Sequence, residues 1–163
     1  MPDTVFEVFE ATARTHGARP AMRRKRGESW EPITWNEYRT AVRRAARGLV
    51  ALGVEPGAGV TIMGFSRPEW YVSNAAAMAA GGLPAGVYTT NTPEQCRYIA
   101  DHAEAVVAIV ENEEYLERFL GVRQKLPRLK SLVLMEGTPN ADGVLSWSQL
   151  LERGDSVDEK VIE

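Results

Sequence analysis

The stretch Gly81–Asn112, GGLPAGVYTTNTPEQCRYIADHAEAVVAIVEN, decides the fold. A short apolar run, Leu83–Tyr88, stops at the polar cluster Thr89-Thr90-Asn91-Thr92. Pro93 then stands where a helix begins, because its fixed φ suits the first turn and its missing N–H has no intrahelical acceptor there. Thr92 precedes it as N-cap, and Gln95 follows three residues later to reach back to the N–H of the cap. The helix carries the single cysteine, Cys96, and hands over to AVVAIV, with Val106–Val110 as the next strand. That run is apolar on both alternating faces, as a parallel strand covered by helices on both sides must be. Strand, capped helix, strand makes a βαβ crossover, a unit common in nucleotide enzymes.

The same punctuation extends outward. Thr4-x-x-Glu7, Thr34-x-x-Glu37, Ser66-x-x-Glu69 and Ser146-x-x-Gln149 repeat the capping-box spacing, and with Thr92 they segment the chain into helices. The first helix runs from about Val5 to His16 and stops at Gly17. Met22–Lys25 and Ser29–Thr34 read as strands of an antiparallel hairpin around Gly27-Glu28. The next helix sets Tyr38, Ala41, Val42, Ala45, Leu49 and Leu52 on one face and closes at Gly53. Arg39, Arg43 and Arg47 line another face, read as solvated. Val60–Phe65 is a short apolar strand, and Arg67–Ala80 a helix whose alanines let it lie close on a sheet. Asn112 caps a helix running toward Lys125; Leu129–Met135 is a strand and Trp147–Arg153 a short helix.

The predicted fold class is α/β. Val60–Phe65, Pro84–Tyr88, Val106–Val110 and Ser131–Leu134 form a Rossmann-like parallel sheet with helices on both faces, and the N-terminal β-hairpin pairs separately or at an edge. One domain covers residues 1–153. The tail 154–163, GDSVDEKVIE with residue 154 its first, is charged without a periodic apolar face and reads as a linker or frayed end.

Composition narrows the function. A net charge of −3 argues against nucleic acid as a partner, so Arg23-Arg24-Lys25-Arg26 reads as a solvated edge strand. One cysteine excludes an internal disulfide and a multi-cysteine metal site, which fits a reducing, cytoplasmic location. The start, MPDTVFEVFEATART, lacks the basic and apolar regions of a signal peptide. Ala75–Val87 is too short and too rich in small residues to span a bilayer.

Three segments together resemble the acyl-CoA synthetases of the adenylate-forming superfamily, which carry the luciferase-like fold. They are ITWNEYRTAVRRAARGLVALGVEPGAGVTIM, GFSRPEWYVSNAAAMAAGG and YTTNTPEQCRYIADHAEAVVAIVEN. The third is the specific one and is similar to the long-chain, bubblegum-type branch. The resemblance implies ligation of a fatty acid to coenzyme A through an acyl-adenylate, with ATP, Mg2+ and coenzyme A used by the full-length enzyme. It implies a cytoplasmic protein that can lie peripheral to a membrane. It covers nearly the whole chain but only the N-terminal portion of the family. The phosphate loop of the family, YTSGTTGxPKG, has no match, and none of Lys25, Lys125, Lys130 and Lys160 follows a glycine-rich loop. The expectation is therefore a fragment that binds no cofactor, holds no catalytic residue and exposes apolar surface through which it self-associates.

Thr89, Thr90 and Asn91 are the substrate-binding candidates, since they follow the carboxyl end of a strand, where open α/β sheets place ligands. They either border a substrate or coenzyme A channel or serve only as turn and cap. Cys96 reads as a small core residue, His16 and His102 as solvent-facing or helix-terminal, and Trp30, Trp35, Trp70 and Trp147 as packing anchors. Two rival readings remain: a stand-alone doubly wound nucleotide-binding module, and an oligomerisation scaffold. Against the first, no strand is followed by G-x-G-x-x-G or a P-loop.

Overall fold

The crossover within Gly81–Asn112 is present in the computed structural model, which describes residues 4–162. Strand β4 (Leu83–Val87), helix α4 (Pro93–His102) and strand β5 (Ala105–Val110) follow one another as read. Thr92 Oγ1 accepts from the Gln95 N–H at 3.4 Å, and Gln95 Oε1 accepts from the Thr92 N–H at 2.9 Å. Before them come α1 (Val5–His16), the hairpin β1 (Pro20–Arg26) and β2 (Ser29–Thr34), α2 (Trp35–Ala51), β3 (Gly59–Met63) and α3 (Pro68–Ala79). After them come α5 (Glu113–Leu120), β6 (Ser131–Leu134), β7 (Val144–Ser146) and α6 (Trp147–Asp155). The expectations for Met1–Asp3 and Glu163 lie outside the described residues.

The sheet has the order β4-β3-β5-β6-β7, and every pair in it is parallel. The hairpin pairs separately and is antiparallel. Alternation along the strands builds two cores. Val60, Ile62, Val107, Ile109, Val133 and Leu145 face α2, α3 and α6. Met63, Val87, Ala108, Val110, Leu132 and Leu134 face α4 and α5. Two glycines bring α2 and α6 together: a Cβ on Gly48 would lie 2.3 Å from the Leu150 carbonyl oxygen, and one on Gly154 would lie 2.0 Å from that of Arg44.

Several local expectations need correcting. Ser66 does not cap α3. Pro68 fixes the first helical position, and the residue before a proline is held extended, so the N-cap is Arg67, with no side-chain cap bond. Strand β3 ends at Met63 rather than Phe65, and α5 ends at Leu120, followed by a 3-10 turn at Arg123–Lys125. The stripe Arg39, Arg43 and Arg47 is not a solvated face. Arg39 and Arg43 meet the buried Glu10 of α1 at 2.8 and 3.4 Å, and Arg47, itself buried, reaches Glu159 at 3.4 Å. Trp30 is 57% exposed and anchors nothing, because it lies on the hairpin rather than on either core. Strand β7 was not expected. It returns parallel to β6 without an intervening helix, and its three residues are too few to show a period.

The segment after α6 lies against α2. Arg47 Nη1 donates to the Val157 carbonyl at 3.3 Å, and Ile162, in a 3-10 turn at Glu159–Ile162, is buried in the core.

Candidate functional site

In an open parallel sheet the ligand crevice opens at the carboxyl ends of the strands, where the chain reverses its direction of winding. From β3 the chain steps outward to β4, then crosses back over β3 to β5, so that point lies between β3 and β5. Side chains of the protein itself fill it. Glu111, directly after β5, accepts from the Phe65 N–H at 2.6 Å. Arg67, after β3, meets Glu69 at 2.8 Å, Glu136 at 2.7 Å and Glu111 at 3.7 Å. Burial on its own would lower the Arg67 pKa, but the hydrogen bonds and charges of Glu69 and Glu136 raise it, so the guanidinium stays charged. Three carboxylates around one arginine leave a net negative crevice, which repels phosphate.

The open space lies one strand over, at the sheet edge. A groove of about 700 Å³ is lined by Gly64, Phe65, Trp70, Tyr71, Tyr88 and Thr89 among others, with no charged side chain. Phe65 is 63% and Tyr88 80% exposed, which places aromatic surface at the carboxyl ends of β3 and β4. A larger groove, about 1030 Å³, runs from α1 to Gly81–Leu83. It sits at the amino end of β4, away from the end where the fold places ligands.

Of the three candidates from the sequence, Thr89 lines the edge groove; Thr90 and Asn91 continue the loop away from it. Thr89 and Asn91 are half-buried and Thr90 is exposed. The loop is tight, with the Asn91 N–H donating to the Tyr88 carbonyl at 3.0 Å. Its other tie was missed in the sequence: Arg118, on α5, donates to the carbonyls of both Thr89 and Asn91. Nothing in the spacing of a lone arginine 27 residues downstream announces that contact. Cys96 is buried behind the loop, and burial pushes its thiol pKa up, against a smaller opposing effect of the Arg118 charge.

The chemistry of these residues does not fit a magnesium–nucleotide site. Among the described residues no group of three His, Cys, Asp or Glu side chains could hold a metal ion. The carboxylates nearest the crevice are occupied by Arg67 and by the Phe65 N–H. No helix among the described residues is long and apolar enough to cross a membrane.

The model of the family described as "AMP-binding enzyme" matches residues 9–160. "Long-chain-fatty-acid--CoA ligase ACSBG2" of Homo sapiens is 35% identical over 164 residues, an alignment covering 99% of this chain and 25% of that protein. "Long-chain-fatty-acid--CoA ligase ACSBG2" of Xenopus laevis is 33% identical, covering 99% and 22%. The chain thus spans about a quarter of the length of these curated relatives. Among solved structures, acetoacetyl-CoA synthetase from Streptomyces lividans superposes with a TM-score of 0.80 at 25% identity, covering 97% of this chain and 26% of that one. The anthranilate CoA ligase AuaEII, in complex with anthranoyl-AMP, superposes at 0.79 and 22% identity, covering 90% and 27%.

Proposed function

This chain belongs to the AMP-binding enzyme family, and we propose that it is the N-terminal α/β segment of a long-chain fatty acid–CoA ligase of the AMP-forming type. The reaction proposed for the whole protein joins a fatty acid carboxylate to the α-phosphate of ATP, releasing pyrophosphate, and then transfers the acyl group to the thiol of coenzyme A. The observation that carries this reading is the match of 99% of this chain to 22–25% of the length of long-chain-fatty-acid–CoA ligases of the bubblegum type.

Within that reading this segment supplies scaffold and border rather than phosphate chemistry. Acyl-adenylate formation requires preorganised donors aimed at the charge that develops on the phosphates. Here the crevice between β3 and β5 holds Glu111, Glu69 and Glu136, and no lysine stands on a glycine-rich loop. Mg2+ and ATP are therefore assigned to residues outside this chain. The uncharged edge groove and the loop Thr89–Asn91 are the parts suited to border the acyl or coenzyme A path. A cytoplasmic location, peripheral to membranes that supply fatty acid, belongs to the same proposal.

The test is formation of acyl-CoA by the complete reading frame, supplied with ATP, magnesium, coenzyme A and fatty acids from C8 to C24. Palmitate-range acids should be consumed. Activity confined to short or aromatic acids would overturn the long-chain assignment, and no acyl-CoA at all would overturn the ligase reading.

A further inference from the structure

Arg118 projects from the last turn of α5 toward the β4–α4 loop and binds it through the loop backbone alone. Its Nη1 donates to the Thr89 carbonyl at 2.7 Å and to the Asn91 carbonyl at 2.8 Å. Its other terminal nitrogen donates to Glu114, one turn earlier on α5, and its guanidinium carbon lies 4.9 Å from the centroid of the Tyr115 ring. Tyr115 is itself 5% exposed, so the arginine is held from below by a fixed ring and from the side by a carboxylate. The guanidinium is thus oriented before it meets the loop, and its bonds to the carbonyls are charge-assisted. Asn91 faces a second buried group as well, since Cys96 Sγ lies 3.9 Å from the same carbonyl.

From this geometry we propose that Arg118 is a positioning residue for the reaction: it fixes the β4–α4 loop and thereby the rim that Tyr88 and Thr89 give to the edge groove. The inference rests on the ligase reading above for what passes along that rim, but not for the pinning itself. A loop of five polar or aromatic residues between a sheet edge and a helix cap has few contacts of its own. Besides Arg118, Tyr88–Thr92 is tied by the Asn91–Tyr88 turn, the Thr92 cap, the Cys96 N–H donating to the Thr92 carbonyl and the long Cys96 Sγ contact to the Asn91 carbonyl. Loops with so few bonds open locally at little cost. Arg118 joins that loop to α5, whose Leu116 and Phe119 are fully buried, and so gives it the rigidity of the core.

The experiment uses the complete protein and Arg118→Met, which keeps an apolar stem and removes every donor. Arg97→Met serves as the control, because Arg97 pairs with Glu94 and Asp101 on α4 and touches neither carbonyl. Should Arg118→Met fail to fold, Arg118→Gln, polar but too short to span to both carbonyls, replaces it. Amide hydrogen exchange over residues 88–95 should quicken about tenfold in the Arg118 variant, with β3 and β5 unchanged and with no change in Arg97→Met. The KM for fatty acid or coenzyme A should rise about fivefold with kcat within about twofold, the mark of lost ground-state positioning rather than lost chemistry. Unchanged exchange over 88–95 would overturn the pinning whatever the enzyme does. Faster exchange with unaltered KM and kcat would overturn the role in the reaction. A wild-type protein that makes no acyl-CoA would instead remove the ligase reading, and with it the substrate rim, while the exchange result still decides the pinning.

Discussion

Glu10 shows how far a single carboxylate organises its surroundings. Its side chain is 7% exposed and is shared by Arg14 at 3.5 Å, Arg39 at 2.8 Å and Arg43 at 3.4 Å, so it clasps α1 to α2. Burial alone would raise its pKa, but the hydrogen bonds and charges of Arg39 and then Arg43 outweigh it and hold the carboxyl below the ordinary glutamate range. A depressed folded-state pKa contributes stability that is complete above the unfolded value, about 4.3, and is lost as pH falls through the lower folded value. Glu10→Gln should therefore cost about 1–3 kcal/mol at neutral pH. In thermal melts the gap between variant and wild type should narrow as pH falls below about 4; a gap independent of pH would show that the charge of Glu10 is not what is lost. At Cys96 the expectation is inertness. It is fully buried with its pKa raised, so a thiol reagent should label it only at the rate of unfolding. Rapid labelling of the native protein would contradict its place in the core.

At the scale of elements, legibility followed from how local the controlling interaction is. Thr34, Thr92 and Ser146 cap their helices through side chains three residues away, and each was readable from spacing. Ser66 had the same spacing and failed, because Pro68 two residues later set the helix start by sterics instead. The difference is measurable: Thr92→Ala should cost about 1 kcal/mol, and Ser66→Ala should fall within a few tenths. Equal losses would mean that α3 begins earlier than Pro68. The α2–α6 contact was illegible for the opposite reason, since Gly48 and Gly154 are far apart in sequence and their role is the absence of a side chain. Gly48→Ala would press a methyl group into the Leu150 carbonyl, and a loss of about 3 kcal/mol or more is expected in chemical denaturation. A neutral Gly48→Ala would mean that the two helices lie further apart.

For the whole molecule, the βαβ order and the parallel sheet could be read from apolar runs between caps, because those runs alternate toward two covered faces. The site was legible only in outline. The carboxyl end of β4 is marked by its polar cluster, whereas Glu111, Arg67 and Arg118 act across the fold from elements that share no motif. Phe65, Tyr71, Leu83 and Tyr88 are exposed along the edge β4 and beside it. Surface of that kind marks an interaction or ligand face, and in isolation this chain should associate at raised concentration. The most direct measurement is pyrophosphate release with ATP, magnesium, palmitate and coenzyme A, run in parallel on this 163-residue chain and on the complete reading frame. Release by the complete protein, with none above background from the chain alone, is the expected result. Comparable turnover by the chain alone would contradict the assignment of phosphate chemistry to residues outside it.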